Sequence, residues 1–367
     1  MSSTEFKALE ESVKAVIGAY VEPHLESTLE ENDAVKAVQA DVSGVTVNIE
    51  LPFPSKRYAQ TLSDRLSRLL AEEADVANAT VNVTHTITAH SVQRGVKRLD
   101  NIKNIIAVAS GKGGVGKSTT SVNLALALAA EGAVVGLLDA DIYGPSQPRM
   151  MGLSGQPESP DGNTLEPMEN YGVQTMSIGF IVDEDTPMIW RGPMVTQALE
   201  QLLNNTRWRD LDYLVIDLPP GTGDTQLTLA QKVPVSGAVI VTTPQDIALL
   251  DARKGLKMFE KVDVPILGIV ENMSTHVCSQ CGHEEHIFGD GGGSTLAQEA
   301  GINLLGSLPL EMGIRLQADS GRPTVVSDPD GHTAGIYGEI ARRAAARLSK
   351  QAKDYSTSFP KIVIQNT

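Results

Sequence analysis

Eight consecutive residues, 111–118, constrain the fold of this chain more than any other part of it. They read Gly-Lys-Gly-Gly-Val-Gly-Lys-Ser and satisfy the phosphate-loop pattern Gly-x-x-x-x-Gly-Lys-Ser in full. An apolar run at 105–109 precedes the motif, and a helical pattern over 117–130 follows it. The glycines let backbone N–H groups curl around phosphates, and the helix N-terminus adds the positive end of its dipole. The motif therefore predicts a P-loop nucleotide hydrolase.

The polar side chains of the motif have expected roles. Lys117 is expected to reach the β- and γ-phosphates, pointing away from the core, and the Ser118 hydroxyl to ligate Mg²⁺. The same stretch also contains Gly-x-Gly-x-x-Gly, with Asp139 about twenty residues further on, which a dinucleotide-binding turn would share. Lys117 and Ser118 favour the phosphate loop, because a dinucleotide turn has no use for either group there. The predicted ATP-binding residues of the loop are Gly111, Lys112, Gly113, Gly114, Val115, Gly116, Lys117, Ser118 and Thr119.

Short continuous apolar runs recur through the rest of the chain, separated by segments of helix length. They lie at 105–109, 133–138, 213–216, 237–241 and 266–270. Such runs are typical of parallel strands that are buried on both faces. The predicted fold class is α/β, a P-loop NTPase with a mostly parallel sheet covered by helices on both faces, preceded by a small α+β domain.

Acidic residues follow two of these runs. Asp217 ends the run at 213–216, where the metal-orienting acid of a P-loop enzyme lies, and is expected to hold Mg²⁺ through a water. The glycine-rich stretch 218–224 is suited to sensing a γ-phosphate. Asp139 and Asp141 end another strand. A carboxylate at a strand end is often only a turn former, but three on one sheet edge favour a site.

The first ninety residues have a different pattern. Helical spacing over 6–20 and 58–70 and strand alternation over 45–51 and 81–87 predict a small α+β domain at 1–90. Residues 91–104 lose the periodicity and gain positive charge, which indicates a linker. The P-loop ATPase domain is predicted to span 105–350, followed by a polar tail at 351–367.

Composition narrows the environment and the partners. The net charge of −15 argues against nucleic acid or an anionic membrane as the main partner. No basic segment followed by an apolar stretch opens the sequence, and no apolar run is long enough to span a bilayer. We therefore expect a cytoplasmic protein.

The only two cysteines, Cys278 and Cys281, form one Cys-x-x-Cys. Structural zinc sites and iron–sulfur clusters usually take four ligands, and one chain offers two thiolates. A two-fold dimer would present the pair twice, enough for [4Fe–4S] or tetrahedral zinc. A zinc site within one chain stays open, because three histidines are near: His276, His283 and His286. A redox pair is disfavoured, since the motif does not open a helix after a thioredoxin-type strand.

Lys112 is the extra lysine of the "deviant" Walker A ATPases, which include MinD, ParA, the nitrogenase iron protein and the Mrp/ApbC group. Within that class the chain resembles Mrp/ApbC from about 100 to 350. The motifs that carry the resemblance are Asp-Ala-Asp-Ile-Tyr-Gly-Pro-Ser-Gln at 139–147, Trp-Arg-Gly-Pro-Met at 190–194, Asp-Leu-Pro-Pro-Gly-Thr-Gly-Asp at 217–224, Asn-Met at 272–273 and Cys-Ser-Gln-Cys at 278–281.

The resemblance implies a function. Members bind and hydrolyse ATP as homodimers, hold an iron–sulfur cluster and pass it to apoproteins. By position, Lys112 would contact phosphate across the dimer, Asp141 would position the attacking water, and Asn272 would read adenine. Cys278 and Cys281 would be cluster ligands. The first ninety residues are similar to a domain related to free-standing iron–sulfur assembly factors, which suggests docking to cluster scaffolds or recipients.

Two relatives in this class supply rival functions. A nitrogenase-type electron donor has a cluster cysteine in its switch region. The corresponding residues here, 217–231, contain no cysteine, which argues against that function. A MinD- or ParA-like spatial organiser, with a structural zinc site, is the alternative. Its membrane version needs an apolar amphipathic tail, and residues 338–352 offer mainly Ile340 and Leu348 among alanines. We expect instead an exposed C-terminal helix packed through its alanine side.

Overall fold

The computed structural model of the chain describes residues 2–182, 192–278 and 280–354. One compact unit comprises residues 1–87, 130–133 and 345–350, and a second comprises 88–129, 134–344 and 351–367. Trp190 and Arg191, which belong to the resemblance, and most of the predicted tail lie outside the described residues. Residues 91–101, all of them described, form no helix or strand. The strand expected at 105 begins three residues earlier, at Ile102.

The first unit is built on a three-stranded sheet in the order β3-β4-β5, with β3 antiparallel and β5 parallel to β4. In β4 every second residue is buried, and the α2 leucines at four-residue spacing are buried as well. Its elements are α1 (Ser3–Ala19), β1 (Val21–Glu22), β2 (Ser27–Thr28), β3 (Val35–Asp41), β4 (Gly44–Leu51), α2 (Ala59–Glu73) and β5 (Ala79–His85).

The second unit contains the remaining elements, except for Ala130 at the end of α3 and the end of α11 from Ala345, together with a 3₁₀ turn at Ile178–Phe180. They are β6 (Ile102–Ala109), α3 (Lys117–Ala130), β7 (Val135–Asp139), α4 (Gln147–Met150), β8 (Met168–Asn170), β9 (Val173–Ser177), α5 (Gly192–Asn205), β10 (Leu211–Asp217), α6 (Asp224–Lys232), β11 (Gly237–Thr242), α7 (Asp246–Lys261), β12 (Ile266–Glu271), β13 (His276–Val277), β14 (Glu284–Glu285), α8 (Gly292–Ala300), β15 (Leu304–Ser307), α9 (Met312–Asp319), α10 (Thr324–Ser327) and α11 (His332–Ser349).

One eight-stranded sheet organises this unit, in the order β15-β12-β11-β6-β10-β7-β9-β8. All neighbouring pairs are parallel except β8 with β9. The five predicted apolar runs are β6, β7, β10, β11 and β12, and their side chains are almost entirely buried. The predicted fold class is therefore confirmed. The strand β10 pairs Asp217 with Val108 on one side and with Asp139 on the other, so the predicted site residues end neighbouring strands.

Helix α11 is more deeply packed than its sequence indicates. Its alanine side is buried as expected, but Ile340 and Leu348 are also completely buried, so the expectation of an exposed helix is wrong. A side chain added at Gly306 of β15 would collide with Ile340, and Arg343 donates to the Leu305 carbonyl at 3.0 Å. The two bulky residues of the candidate membrane tail therefore belong to the protein interior. Within the described ranges, no helix has the length and apolar character needed to cross a bilayer.

Candidate functional site

The phosphate loop turns between β6 and α3 with two glycines in left-handed conformations, Gly114 at φ +80° and Gly116 at φ +83°. Two positions also lack room for a side chain. A Cβ at Gly111 would lie 2.2 Å from the backbone of Asp251 in α7, and one at Gly116 would lie 2.1 Å from Asn272 Nδ2. Glycine is therefore required here both by conformation and by close approach.

Lys117, the lysine of the motif, is buried at the edge of the sheet. Its Nζ lies 2.6 Å from Asp217 Oδ1, 3.2 Å from Ser118 Oγ and 3.8 Å from Asp141 Oδ2. Only 5% of the residue is exposed, which corrects the expectation that it points away from the core. The structure thus brings together four of the predicted site residues, with the lysine compensating the charge of two carboxylates.

Asp217 is fully buried and has more partners than the sequence suggested. Besides Lys117, its Oδ1 accepts a hydrogen bond from Ser121 Oγ at 2.9 Å, and its Oδ2 accepts one from Gln147 Nε2 at 3.0 Å. Ser121 and Gln147 were not among the predicted residues. Ser121 could have been found, because it lies one helical turn after Lys117 on the same face of α3. Gln147 ends the motif at 139–147 that carries the resemblance, but its position in that motif does not indicate that its side chain reaches Asp217.

Asp139 accepts hydrogen bonds from the loop that follows β7. It is completely buried and accepts four hydrogen bonds, from the backbone N–H groups of Asp141, Ser146 and Gln147 and from Ser177 Oγ. Burial, and the neighbouring carboxylate of Asp217, raise the pKa of Asp139 above its usual range. Because its oxygens are occupied by these donors, Asp139 holds the loop in place and does not offer a free carboxylate to a ribose.

Asp141 is the more accessible of the two acids, with 14% of its side chain exposed beside Lys117. Burial raises the pKa of Asp141, while the positive charge of Lys117 opposes that rise. An ionised carboxylate in this position can accept a hydrogen bond from a water molecule near the phosphate loop.

The second lysine of the loop, Lys112, is half-buried, and its Nζ has a neutral partner, Gln245 Oε1, at 3.4 Å. Asn272, which follows β12, is 8% exposed and donates from Nδ2 to the Val115 carbonyl at 2.9 Å. Asn272 therefore touches the phosphate loop itself, and its role in reading adenine stays a prediction.

The two cysteines lie at the tip of a short hairpin formed by β13 and β14. The Cys278 N–H donates to the His283 carbonyl at 2.8 Å, and the Gly282 N–H donates to the Cys278 carbonyl at 2.9 Å. Both thiols are free, Cys278 half-buried and Cys281 exposed. Hydrogen bonds from the backbone N–H groups of Gln280 and Cys281 lower the pKa of the Cys278 thiol. The hairpin thus presents two thiols at the surface and favours the thiolate form that binds metals.

The three nearby histidines do not complete a metal site with them. His276 Nδ1 lies 2.9 Å from the Leu310 carbonyl oxygen, and His286 Nδ1 lies 3.1 Å from that of Ser274. Across residues 2–182, 192–278 and 280–354, no three His, Cys, Asp or Glu side chains are grouped so that they could hold a metal ion. Zinc binding within one chain therefore finds no support in the described residues.

A phosphate loop that follows a central strand of a mostly parallel sheet, with acids at the ends of β10 and β7, the next two strands on one side, defines a P-loop NTPase. The family model described as "ParA: NUBPL iron-transfer P-loop NTPase" matches residues 101–345. The chain belongs to this family.

Known relatives match most of the chain, and some of them cover nearly all of it. An iron-sulfur cluster carrier protein of Escherichia coli K12 is 49% identical over 348 residues, 95% of this chain and 94% of its own length. One from Pseudomonas fragi is 61% identical over 268 residues, 72% of this chain and 93% of its own. Among solved structures, a nucleotide-binding protein from Archaeoglobus fulgidus in complex with ADP is 40% identical, with a TM-score of 0.56. It covers 64% of this chain and 91% of its own.

Proposed function

We propose that this protein is an ATP-binding and ATP-hydrolysing carrier that binds a [4Fe–4S] cluster between two copies of the chain and transfers it to apo iron–sulfur proteins. The observation that carries the proposal is the hairpin, which presents Cys278 and Cys281 together at the surface. Two thiolates from each of two chains supply the four that such a cluster takes. Relatives of this chain are named iron-sulfur cluster carrier proteins. We place the protein in the cytoplasm.

The nucleotide part rests on the partners of Lys117. In this structure Lys117 pairs with Asp217, and a triphosphate would offer it a stronger anionic partner. Movement of the lysine toward phosphate would leave the Ser118 hydroxyl as an oxygen ligand, the donor type that Mg²⁺ prefers, and would leave Asp217 to hold the ion through a water. Mg²⁺ held there would neutralise charge on the phosphates. The A. fulgidus relative binds ADP, which supports a nucleotide in this loop.

Hydrolysis is expected to be slow and to need Mg²⁺. Asp141 is the only carboxylate here that we assign to the attacking water, and it lies 3.8 Å from Lys117. Because Asp139 and Asp217 are already held by other hydrogen-bond donors, neither is available as a second base, and slow turnover is expected.

Dimerisation should depend on nucleotide, on the cluster, or on both. Among the residues that the structure describes, Lys112 has only a neutral amide partner, so its charge is available to a phosphate across an interface. Sizing of the apo and reconstituted protein, with and without a nonhydrolysable ATP analogue, measures this. Lys112→Ala should lose the nucleotide-dependent dimer, whereas Lys254→Ala, which removes an exposed lysine paired with Asp251, should keep it. A monomer under every condition would exclude a shared cluster site.

Asn272→Ala should weaken nucleotide binding and reduce the preference for adenine. Loss of one hydrogen bond costs about 0.5–1.5 kcal/mol, and about 1.4 kcal/mol corresponds to a tenfold change in affinity. Calorimetric titration with ADP and GDP separates the two roles of this side chain. If Asn272 reads the base, the ratio of the two affinities falls. If both affinities fall equally, Asn272 acts only by supporting the Val115 carbonyl.

The spatial-organiser alternative loses its membrane anchor, because Ile340 and Leu348 are buried in α11. Co-sedimentation with liposomes or DNA in the presence of ATP tests what remains of it. We propose a homodimer whose partners are apo iron–sulfur proteins and cluster scaffolds, with neither nucleic acid nor membrane as a partner. The first unit contributes no thiolate ligand, since residues 1–90 contain no cysteine, and we assign it to partner docking.

A further inference from the structure

Gln147, the first residue of α4, joins three parts of the nucleotide site. Its backbone N–H donates to Asp139 Oδ2 at 3.0 Å, at the end of β7. Its side-chain Nε2 donates to Asp217 Oδ2 at 3.0 Å, at the end of β10, and to the Ser118 carbonyl at 3.1 Å, in the first turn of α3. The residue is completely buried. One side chain thus connects the two residues that the sequence assigns to magnesium.

These contacts fix the orientation of the Gln147 amide. Both neighbours of Nε2 are oxygen acceptors, so the amide cannot be turned over without placing two acceptors against each other. The other end, Oε1, is then buried without a hydrogen-bond partner among the described residues, and so is the hydroxyl of the adjacent Ser146. Buried polar atoms of native proteins nearly always have a partner, and a water or ion often supplies it.

A buried oxygen without a hydrogen-bond partner does not by itself identify a metal site, because Gln93 has one as well. Its Oε1 is also buried without a partner among the described residues, and its Nε2 donates to the carbonyls of Ala230 and Val233. Those neighbours are neutral peptide groups. Gln147 Nε2 instead donates to the carboxylate of Asp217 and to the main-chain carbonyl of Ser118, whose hydroxyl is expected to ligate Mg²⁺. The difference between the two glutamines lies in what their amides touch.

We propose that Gln147 is a positioning residue for magnesium in the nucleotide site. Its Nε2 holds Asp217 and the first turn of α3 at a fixed separation, and its Oε1 accepts a hydrogen bond from water bound to the ion. Magnesium in proteins usually keeps several of its waters, and residues that orient ligands from outside the coordination shell influence affinity strongly. This inference rests on the nucleotide part of the proposed function.

The test compares ADP binding with and without Mg²⁺ by calorimetry. Gln147→Leu, which fills similar space without polar atoms, should weaken Mg²⁺ binding to the ADP complex by about 10–100-fold. Its affinity for ADP in excess EDTA should stay close to that of the parent. Gln93→Leu is the matched control, which should change thermal stability and leave Mg²⁺ affinity unchanged. Gln147→Met, unbranched and adaptable in shape, replaces the leucine variant if that variant does not fold.

Three results would overturn the inference. Parent-like Mg²⁺ affinity in Gln147→Leu would reduce Gln147 to a packing role. An equal loss of ADP affinity with and without Mg²⁺ would show a general effect on the loop. If the ADP affinity of the parent protein were the same with and without Mg²⁺, the assignment of a magnesium site would itself be wrong. The cluster assignment would survive all three, because it is measured separately as iron and sulfide per dimer.

Discussion

Lys117→Ala is expected to abolish ATP hydrolysis. The Nζ of Lys117 is the cation closest to Asp217 and Ser118, where the β- and γ-phosphates are expected. Removing one preorganised group that stabilises transition-state charge typically costs about 10²–10³-fold in rate. Since the parent is already expected to be slow, the variant should fall below detection. Phosphate release at saturating ATP and Mg²⁺ measures the effect, and turnover at the parent rate would overturn the assignment of this loop.

The structure adds a cost in stability to this substitution. Breaking a buried ion pair by removing one partner is destabilising by about 3–5 kcal/mol, and Lys117 and Asp217 are both buried. The loss should lie toward the lower end, because Ser121 and Gln147 still donate to the orphaned carboxylate. Thermal unfolding of the variant must therefore be measured beside its activity.

A double variant separates the two effects. Lys117→Ala with Asp217→Asn removes both charges, so it should regain much of the stability lost in the single variant. It should stay inactive, because both the phosphate contact and the magnesium acid are missing. If the double variant is no more stable than Lys117→Ala, the buried pair contributes little, and the loss of activity must be judged against partial unfolding.

The central strands could be predicted from sequence because they are buried on both faces. Each of β6, β7, β10, β11 and β12 needs a continuous apolar run, which is easily recognised. Strand β9 is equally buried but contains Gln174 and Ser177. Gln174 exchanges hydrogen bonds with the backbone of Arg209, and Ser177 donates to Asp139. When buried polar residues form hydrogen bonds with residues distant in sequence, the strand that contains them shows no continuous apolar run, and the sequence pattern does not predict it.

The same distinction holds within the site. Lys117 and Ser118 belong to a local motif, so their sequence positions predict their place in the loop. Asp139 and Asp141 look alike in sequence, but the structure makes Asp139 the fully hydrogen-bonded support of its loop and leaves Asp141 more accessible. Which acid is the more accessible depends on which of the two accepts the donors from β9 and α4, and the local sequence contains no information on that.

Cys278→Ala and Cys281→Ala should each abolish stable cluster binding. Each chain supplies two thiolates, and in a symmetric dimer a single substitution removes two of the four ligands. The backbone N–H groups that lower the pKa of the Cys278 thiol remain in Cys281→Ala, whereas the hydrogen bond from the Cys281 side chain, which also lowers it, is lost together with the ligand. Anaerobic reconstitution with iron and sulfide, followed by counting both per dimer, gives the primary measurement.

The ATPase should survive in both variants, because the phosphate loop and the hairpin are separate parts of the structure. Retained phosphate release therefore shows that a variant without a cluster is folded. His283→Ala supplies the matched control within the hairpin. Its side chain is 67% exposed, and a cluster held only by thiolates should not depend on it.

Transfer is the decisive test of the carrier function. Reconstituted parent protein should activate an apo [4Fe–4S] enzyme, His283→Ala should do the same, and neither cysteine variant should. Exposure of the hairpin tip is the physical reason to expect transfer, since a cluster bound at a surface can be reached by a recipient, unlike the closed shell of a structural zinc site. One tightly bound zinc per chain that is lost in His283→Ala, with no transfer after reconstitution, would exclude the carrier function and leave an ATPase with a structural metal.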